Sequence, residues 1–254
     1  MSHTNNPELD QIAEEYNKRD LSGVGNEYQY TNPAYLFHMQ ERERVIIDFL
    51  KKNEVNLSET RILEVGCGTG AILNRFKDFG AREVVGIDLL DSRVSMGAKK
   101  FPTITLIRSN AAELPFQDES FNLVMNFMCL SSVLDQNMRN SIAMEMWRVT
   151  KPSGAILSYD MRPLFKPLES LGKIYQKYRI FHDKKFSSPN TPIYRLSAQD
   201  YKTLFPAGRI KYRSLSLLMF LANLSKISFL LTYLISLIPI LHTHNLVIIR
   251  KPIV

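Results

Sequence analysis

Cysteine and histidine are scarce in this chain. Only two of its 254 residues are cysteine, Cys67 and Cys129, and five are histidine. Two isolated cysteines give neither a disulfide framework nor a spaced metal motif, so we expect no bound metal and a reducing, cytoplasmic setting. His242 and His244 are spaced so that both could contact one ion, but two histidines alone do not make a metal site.

The sequence has no long apolar run, and we expect no leader peptide. Its first ten residues, MSHTNNPELD, are polar and acidic, unlike a signal or transit peptide. The most apolar stretch, Ile227 to Leu241, carries no charge, but 15 residues of helix cover only about 22 Å of a hydrocarbon core about 30 Å thick. Extending it would place Lys226 in the membrane at a cost of about 3 kcal/mol.

This apolar stretch therefore favours alternatives to a membrane span. Hydroxyl side chains recur within and just before it at steps of three and four residues, which traces one narrow polar stripe on a helix. The stripe consists of Ser225, Ser228, Thr232 and Ser236. We expect a helix that is buried in the core, or one that lies on a membrane surface or holds a lipid.

Positive charge predominates and is unevenly spread. The net charge is +7, and the segment from Met161 to Arg213 holds twelve Lys and Arg against three acids. Such a segment suits an anionic partner, for example a phosphate or an acidic lipid, although a basic face in contact with water alone explains it equally well.

Short apolar segments alternate with helical patterns from Arg61 onward. This alternation predicts a parallel sheet with helices on both faces. Asp91 and Asp135 are predicted to cap helices, and Ser197 with Asp200 predicts a capping box. The predicted strands are 61–66, 83–88, 103–108, 121–127, 155–160, 210–218 and 244–250. The stretch KPSG, residues 151–154, is predicted to form a turn before the fifth strand.

The motif ILEVGCGTG places Gly66, Gly68 and Gly70 between the first strand and the next helix. Glycines allow a sharp turn and a close approach of the backbone to a ligand, while the helix offers free N–H groups. With Asp88 about 20 residues further on, this loop alone fits a nicotinamide dinucleotide as well as another adenosine cofactor.

The longer pattern resembles the class I S-adenosylmethionine-dependent methyltransferases, of the type found in bacterial surface-glycan and natural-product pathways. The motifs that carry the resemblance are Glu64 before the first glycine, GID ending at Asp88, NAAELPF (110–116), FNLV (121–124) and WRVTKPSG (147–154). The resemblance implies a Rossmann-like, mostly parallel α/β sheet of seven strands in the order 3-2-1-4-5-7-6. It also implies one domain, 1–254, with an N-terminal helical lid (1–55), a cofactor-binding core (61–160) and a substrate side with helical insertions after strands five and six (161–254).

The same resemblance implies S-adenosylmethionine as cofactor and assigns residues to it. Glu64 would support the amino end, Asp88 would accept hydrogen bonds from the ribose hydroxyls, and Leu89 would pack on the adenine. Asn110 stands where the family usually has Asp. The full predicted set is Glu64, Gly66, Cys67, Gly68, Asp88, Leu89, Asn110, Ala111, Asn126 and Phe127. Cys67 is interpreted as a packing residue rather than a nucleophile.

Two residues are candidates for a general base. Asp160 ends the fifth strand, on the edge of the sheet where ligands bind in open α/β folds, and His38 lies in the N-terminal segment. The alternatives are that Asp160 caps a loop or pairs with Arg162, and that His38 is a surface or core residue.

The resemblance implies methyl transfer to a small-molecule or lipid-linked glycan acceptor, with O-methylation expected first. A C-methyltransferase of a quinone or polyprenyl precursor is the alternative, followed by a non-catalytic S-adenosylmethionine-binding partner protein. Nucleic acid is not expected as the acceptor, because the sequence has no RNA-binding module and no NPPY-like tetrad. Contact with the inner face of the membrane is an additional option for a cytoplasmic protein.

Overall fold

The computed structural model describes residues 31–167 and 192–253, together with residues 13, 14, 16 and 170. These residues belong to two compact units. The sheet unit comprises described residues of 50–161, 193–213 and 245–254, and the helical unit comprises those of 1–49, 162–192 and 214–244. The single domain that the sequence suggests remains a prediction.

The sheet has seven strands in the order β3-β2-β1-β4-β5-β7-β6. Neighbouring strands among β1 to β5 pair in parallel, and the mixed sheet has the strand order that the sequence predicts. The strands are β1 (Arg61–Val65), β2 (Glu83–Asp88), β3 (Thr105–Arg108), β4 (Phe121–Phe127), β5 (Thr150–Met161), β6 (Arg209–Leu217) and β7 (His242–Arg250).

Helices connect these strands, and their apolar faces are buried. In the helix that follows the glycine loop, Leu73 and Phe76 are buried while Asp78 and Arg75 pair at the surface. The helices are α1 (Pro33–Lys52), α2 (Ala71–Asp78), α3 (Asp91–Lys100), α4 (Cys129–Ser132), α5 (Gln136–Val149), α6 (Ala198–Leu204), α7 (Met219–Ala222) and α8 (Phe229–Ile235). Short 3₁₀ turns cover Leu57–Glu59, Asn223–Lys226 and Pro239–Leu241.

The predicted helix caps have different outcomes. Asp135 Oδ1 accepts the backbone N–H of Met138, and Ser197 forms a capping box with Asp200, so both predictions are confirmed. The prediction for Asp91 was wrong, because α3 already begins at Asp91 and its N-cap is the preceding leucine. An acidic residue in the first turn still interacts favourably with the helix dipole.

The fifth strand is longer than predicted. The stretch KPSG was expected to form a turn, but β5 begins at Thr150 and includes it. Ser153 has a φ of +57°, so the backbone is locally irregular within the strand. A bulge-like register shift against β4 lies in the same region and lets the strand extend through these residues.

Strand register places the functional candidates of the sheet unit at one edge. Val65 lies opposite Ile87 on one side and Asn126 on the other, and Asn126 in turn lies opposite Ser158. The glycine loop and the strand-end residues after these positions therefore emerge together at the carboxyl ends, where open α/β sheets bind ligands.

In the helical unit, the apolar stretch does not form the one helix expected. Residues 219–241 form α7, a 3₁₀ turn, α8 and a second 3₁₀ turn. The polar stripe faces inward, since Ser225, Thr232 and Ser236 are buried, whereas most of the large apolar side chains are exposed. The expectation of burial in the core was therefore wrong for these apolar side chains. In the described part of the chain, every helix is too short or too polar to cross a membrane.

Candidate functional site

The glycine loop requires glycine at its first position. Gly66 has a φ of +71°, which is unfavourable for residues with a Cβ. A Cβ there would lie 2.8 Å from Sγ of Cys129, inside van der Waals contact. The end of β1 can therefore turn tightly against α4 only without a side chain.

Gly68 has more space around it than Gly66, and its N–H is hydrogen-bonded to Asp88 at the end of β2. Among the residues that the structure describes, a Cβ on Gly68 would meet only Nη1 of Arg93, at 3.9 Å, so these residues leave the space above this peptide open. The Gly68 N–H donates to Asp88 Oδ2 at 2.7 Å, and the Leu90 N–H donates to Asp88 Oδ1 at 3.0 Å. A carboxylate oxygen accepts two hydrogen bonds, so each oxygen of Asp88 retains capacity for a ligand hydroxyl.

The thiols of Cys67 and Cys129 are surrounded by packed protein atoms. Cys67 is buried and its Sγ lies against Gly86, at 2.7 Å from the position a Cβ would take there. Burial, assisted by the carboxylates of Glu64 and Asp88, raises the pKa of the Cys67 thiol well above its usual range. Burial also raises the pKa of Cys129. Both thiols are therefore protonated at neutral pH and poor nucleophiles, which agrees with a packing role for Cys67.

Asn110 forms a turn after β3. Its Oδ1 accepts the Ala112 N–H at 3.0 Å, and its carbonyl accepts the Glu113 N–H at 3.2 Å. Asn110, Ala111 and Leu89 are all half-buried. Because Oδ1 already holds the turn, only its second lone pair is available for the amino group that the resemblance assigns to it. The adenine-binding roles of these three residues stay predictions.

Asp160 occupies a fully buried hydrogen-bond network. Its Oδ2 accepts from Asn126 Nδ2 at 2.7 Å and from Ser158 Oγ at 2.6 Å, and its Oδ1 accepts from the Ser131 N–H at 2.9 Å. Burial raises the pKa of Asp160, although these hydrogen bonds oppose the shift. Ser158 continues the network to the buried hydroxyl of Tyr201 at 2.9 Å.

This arrangement differs from the one expected for a general base. The Asp160 carboxylate was expected to face an acceptor, but it has no exposed surface and joins β5 to β4 and α4. The sequence reasoning missed its partners Ser131, Ser158 and Tyr201. One signal was available, because Ser158 precedes Asp160 by two residues and therefore shares its face of the strand.

The end of β4 leaves one buried polar atom for a ligand. Asn126 is fully buried, and among the described residues no hydrogen-bond partner reaches its Oδ1. A buried amide oxygen without a partner is costly, and a bound molecule or a water would relieve that cost. Phe127 packs between Phe76 and Tyr159, with ring centroids 6.3 Å and 5.6 Å away.

His38 lies in the helical unit, beside a buried acid, Glu41, that the sequence reasoning missed. His38 Nδ1 is 4.0 Å from Glu41 Oε2, and both residues are buried. Burial and nearby Arg42 lower the pKa of His38 to about 4, so it is neutral at pH 7. Burial raises the pKa of Glu41 to about 7, opposed by the backbone N–H groups of residues 216 and 217 and by Arg44. A neutral imidazole has the protonation state of a base, and that role stays a prediction.

Comparison with known families identifies the sheet unit. A family described as "Methyltransferase domain" matches residues 62–154, which include β1 to β4 and the first part of β5. Residues 62–154 carry this methyltransferase domain, which agrees with the resemblance to the class I S-adenosylmethionine-dependent methyltransferases. Among the described residues, no group of three His, Cys, Asp or Glu side chains is placed to hold a metal ion.

Individual relatives of the methyltransferase domain agree with this assignment. A ubiquinone/menaquinone biosynthesis C-methyltransferase, UbiE, of Vibrio vulnificus is 30% identical over 131 residues, which are 48% of each chain. A demethylmenaquinone methyltransferase of Renibacterium salmoninarum is 28% identical over 67% of this chain and 70% of its own length. The chain thus spans about half the length of most of the curated relatives it matches.

The fold is also similar to that of a solved S-adenosylmethionine-dependent methyltransferase from Methanosarcina mazei. The TM-score is 0.57 at 18% identity, over 83% of this chain and 98% of that one. At this identity, the similarity supports the fold of the methyltransferase domain.

Proposed function

We propose that this chain binds S-adenosylmethionine at the glycine loop and transfers its methyl group to a small-molecule acceptor. The observation that carries the proposal is the arrangement of Gly66, Gly68 and Asp88 at the carboxyl edge of a methyltransferase domain. The unpartnered Oδ1 of Asn126 gives this edge a buried acceptor that a ligand donor can use.

The residues present fit this cofactor in their chemistry. S-adenosylmethionine supplies a methyl group activated by its sulfonium charge. The open space at Gly68 lets the backbone approach a ligand closely, and Asp88 has acceptor capacity for two hydroxyl groups. Displacement at a methyl group is in-line, so the main task of the protein is to align the acceptor with the donor.

Methyl acceptors differ in whether they need a general base of the protein to remove a proton, and this difference helps to choose between them. An aliphatic alcohol, such as a sugar hydroxyl, needs a base within hydrogen-bond reach, whereas a phenol with a pKa of about 10 ionises more readily. The carboxylate of Asp160 is fully buried, and both of its oxygens already accept hydrogen bonds from the protein. This favours a phenolic acceptor such as a hydroquinone, and the name of the Vibrio vulnificus relative, a ubiquinone/menaquinone biosynthesis C-methyltransferase, favours transfer to carbon.

O-methylation of a lipid-linked glycan is the second candidate. The basic stretch between Met161 and Arg213 suits a phosphorylated acceptor, although much of it lies outside the described residues. An O-methyltransferase with this acceptor would need a base, and His38, neutral at pH 7, is the candidate that the sequence offers.

The test is methyl transfer from isotope-labelled S-adenosylmethionine to two acceptors in parallel, a hydroquinone with an isoprenoid tail and a bacterial lipid-linked glycan extract. NMR of the product distinguishes a methyl on carbon from one on oxygen. We expect a carbon-bound methyl on the hydroquinone. Label only in the glycan fraction would reject C-methylation, and cofactor binding without transfer to either would indicate a non-catalytic protein.

A further inference from the structure

In the segment from Ile227 to Ile240, two hydroxyl side chains are buried and most large apolar side chains are exposed, the reverse of the usual arrangement. We call its exposed large side chains the apolar patch: Ile227, Phe229, Leu230, Leu231, Tyr233, Leu234, Leu237, Ile238 and Ile240. Their exposed fractions run from 40% for Tyr233 to 84% for Ile227. Isolated exposed apolar residues are ordinary, but nine within fourteen positions mark an interaction surface.

The polar side chains of this segment point the other way and are satisfied internally. Thr232 Oγ1 donates to the Ser228 carbonyl at 2.8 Å, and Ser236 Oγ donates to the Tyr233 carbonyl at 2.8 Å. His242 Nε2 lies 2.7 Å from the Ser236 carbonyl oxygen. Because these polar side chains form their hydrogen bonds within the protein, the exposed side of the segment presents few groups that need hydrogen bonds from water. Helices in contact with lipid share this property.

Cations are tied to the patch by direct contacts. The Arg44 guanidinium lies over the Tyr233 ring at 5.4 Å, and Arg162 Nη1 donates to the carbonyl of Pro239 at 3.3 Å. Lys226 immediately precedes the patch and is exposed. Residues 214–244, the part of the helical unit that contains the patch, include Lys226 and no Asp or Glu.

We propose that the apolar patch docks this protein on an anionic membrane surface. Apolar side chains would enter the boundary between headgroups and acyl chains, while Arg44, Arg162 and Lys226 contact acidic lipid headgroups. A second copy of the chain is a poorer occupant, because a two-fold contact of this patch would bring the same cations face to face. The proposal does not depend on methyl transfer.

The test is co-sedimentation of the full chain with two kinds of vesicle, phosphatidylcholine alone and phosphatidylcholine with phosphatidylglycerol. We expect binding to the second kind, weakened by salt because the cationic contribution is screened. Leu230→Ser with Leu234→Ser should reduce the bound fraction at least about tenfold. Lys226→Glu should reduce it at least about fivefold, since each cation near an acidic surface contributes about that factor.

Matched controls are available in the sheet unit. Met96→Ser with Met144→Ser removes two side chains that are also largely exposed, and Lys202→Glu reverses an exposed cation. Both should leave vesicle binding unchanged. S-adenosylmethionine affinity, measured on every variant, verifies that the site is intact.

Three outcomes would overturn the proposal. These are an absence of vesicle binding, equal binding to both kinds of vesicle, and equal losses in the patch and control variants. Analytical ultracentrifugation of the same proteins addresses the competing occupant. A dimer that dissociates in the Leu230→Ser, Leu234→Ser variant, with no vesicle binding by the original chain, would assign the patch to a second copy.

Discussion

Glu41→Gln tests the buried acid of the helical unit. Glu41 is 7% exposed and accepts backbone N–H groups from residues 216 and 217. A glutamine has the same shape and retains one acceptor oxygen, but it cannot ionise. The substitution therefore measures how much the ionisation of this buried carboxyl group changes the free energy of unfolding.

The magnitude follows from the raised pKa. Burial shifts the pKa of Glu41 from 4.5 to about 7, so the unfolded chain releases this proton at lower pH than the folded protein does. Stability is therefore greatest below pH 4.5 for this group and is lost as pH rises through about 7. At about 1.4 kcal/mol per pKa unit, the loss approaches about 3 kcal/mol at high pH.

The assay is urea denaturation of both proteins at an acidic and an alkaline pH. We expect similar stabilities near pH 5 and an advantage of about 2–3 kcal/mol for Glu41→Gln near pH 8.5. The lowered pKa of His38 destabilises both proteins below pH 6.5, so it largely cancels in the difference. Exposed Glu113→Gln is the control. A stability difference that is the same at both pH values would refute the reasoning.

Two further predictions concern the sheet unit. Gly66→Ala should lower stability by about 1–3 kcal/mol more than Gly80→Ala; both glycines have positive φ, but only Gly66 lacks room for a Cβ, beside Cys129. Equal losses of thermal stability would contradict this. Asp160→Asn should lower stability by about 1–3 kcal/mol but retain methyl transfer, because its amide oxygen can accept from Asn126 and Ser158 while its NH₂ group then faces the Ser131 N–H without an acceptor. Lost turnover with unchanged cofactor affinity would instead support the sequence prediction of a base.

The sequence predicted the sheet well because its strands are apolar runs with clear ends. The bounds of β2 and β4 match the predictions residue for residue, and a charged or turn-forming residue precedes each run, Arg82 and Ser120 respectively. KPSG was misjudged because turn-forming residues also occur at irregularities within strands, here at Ser153.

Other features depended on contacts that a single sequence does not show. Burial of the apolar side chains of the 227–241 segment was one of two expectations, beside contact with a membrane surface or a lipid, but the tertiary fold buries the hydroxyl stripe instead. The buried state of Asp160 likewise depends on Ser131 in α4 and Asn126 in β4, which are distant in sequence. Glu41 received no role, because its spacing from His38 on α1 is equally typical of an exposed helix surface.

Calorimetric titration of S-adenosylmethionine into the Asp88→Ala variant tests the central claim most directly. Losing hydrogen bonds from two hydroxyls to a carboxylate should weaken binding at least about 100-fold. Asp91→Ala, three residues further on and exposed, should bind like the original chain. If Asp88→Ala stays folded by circular dichroism and binds the cofactor with unchanged affinity, Asp88 does not hold it, and the proposed site is wrong.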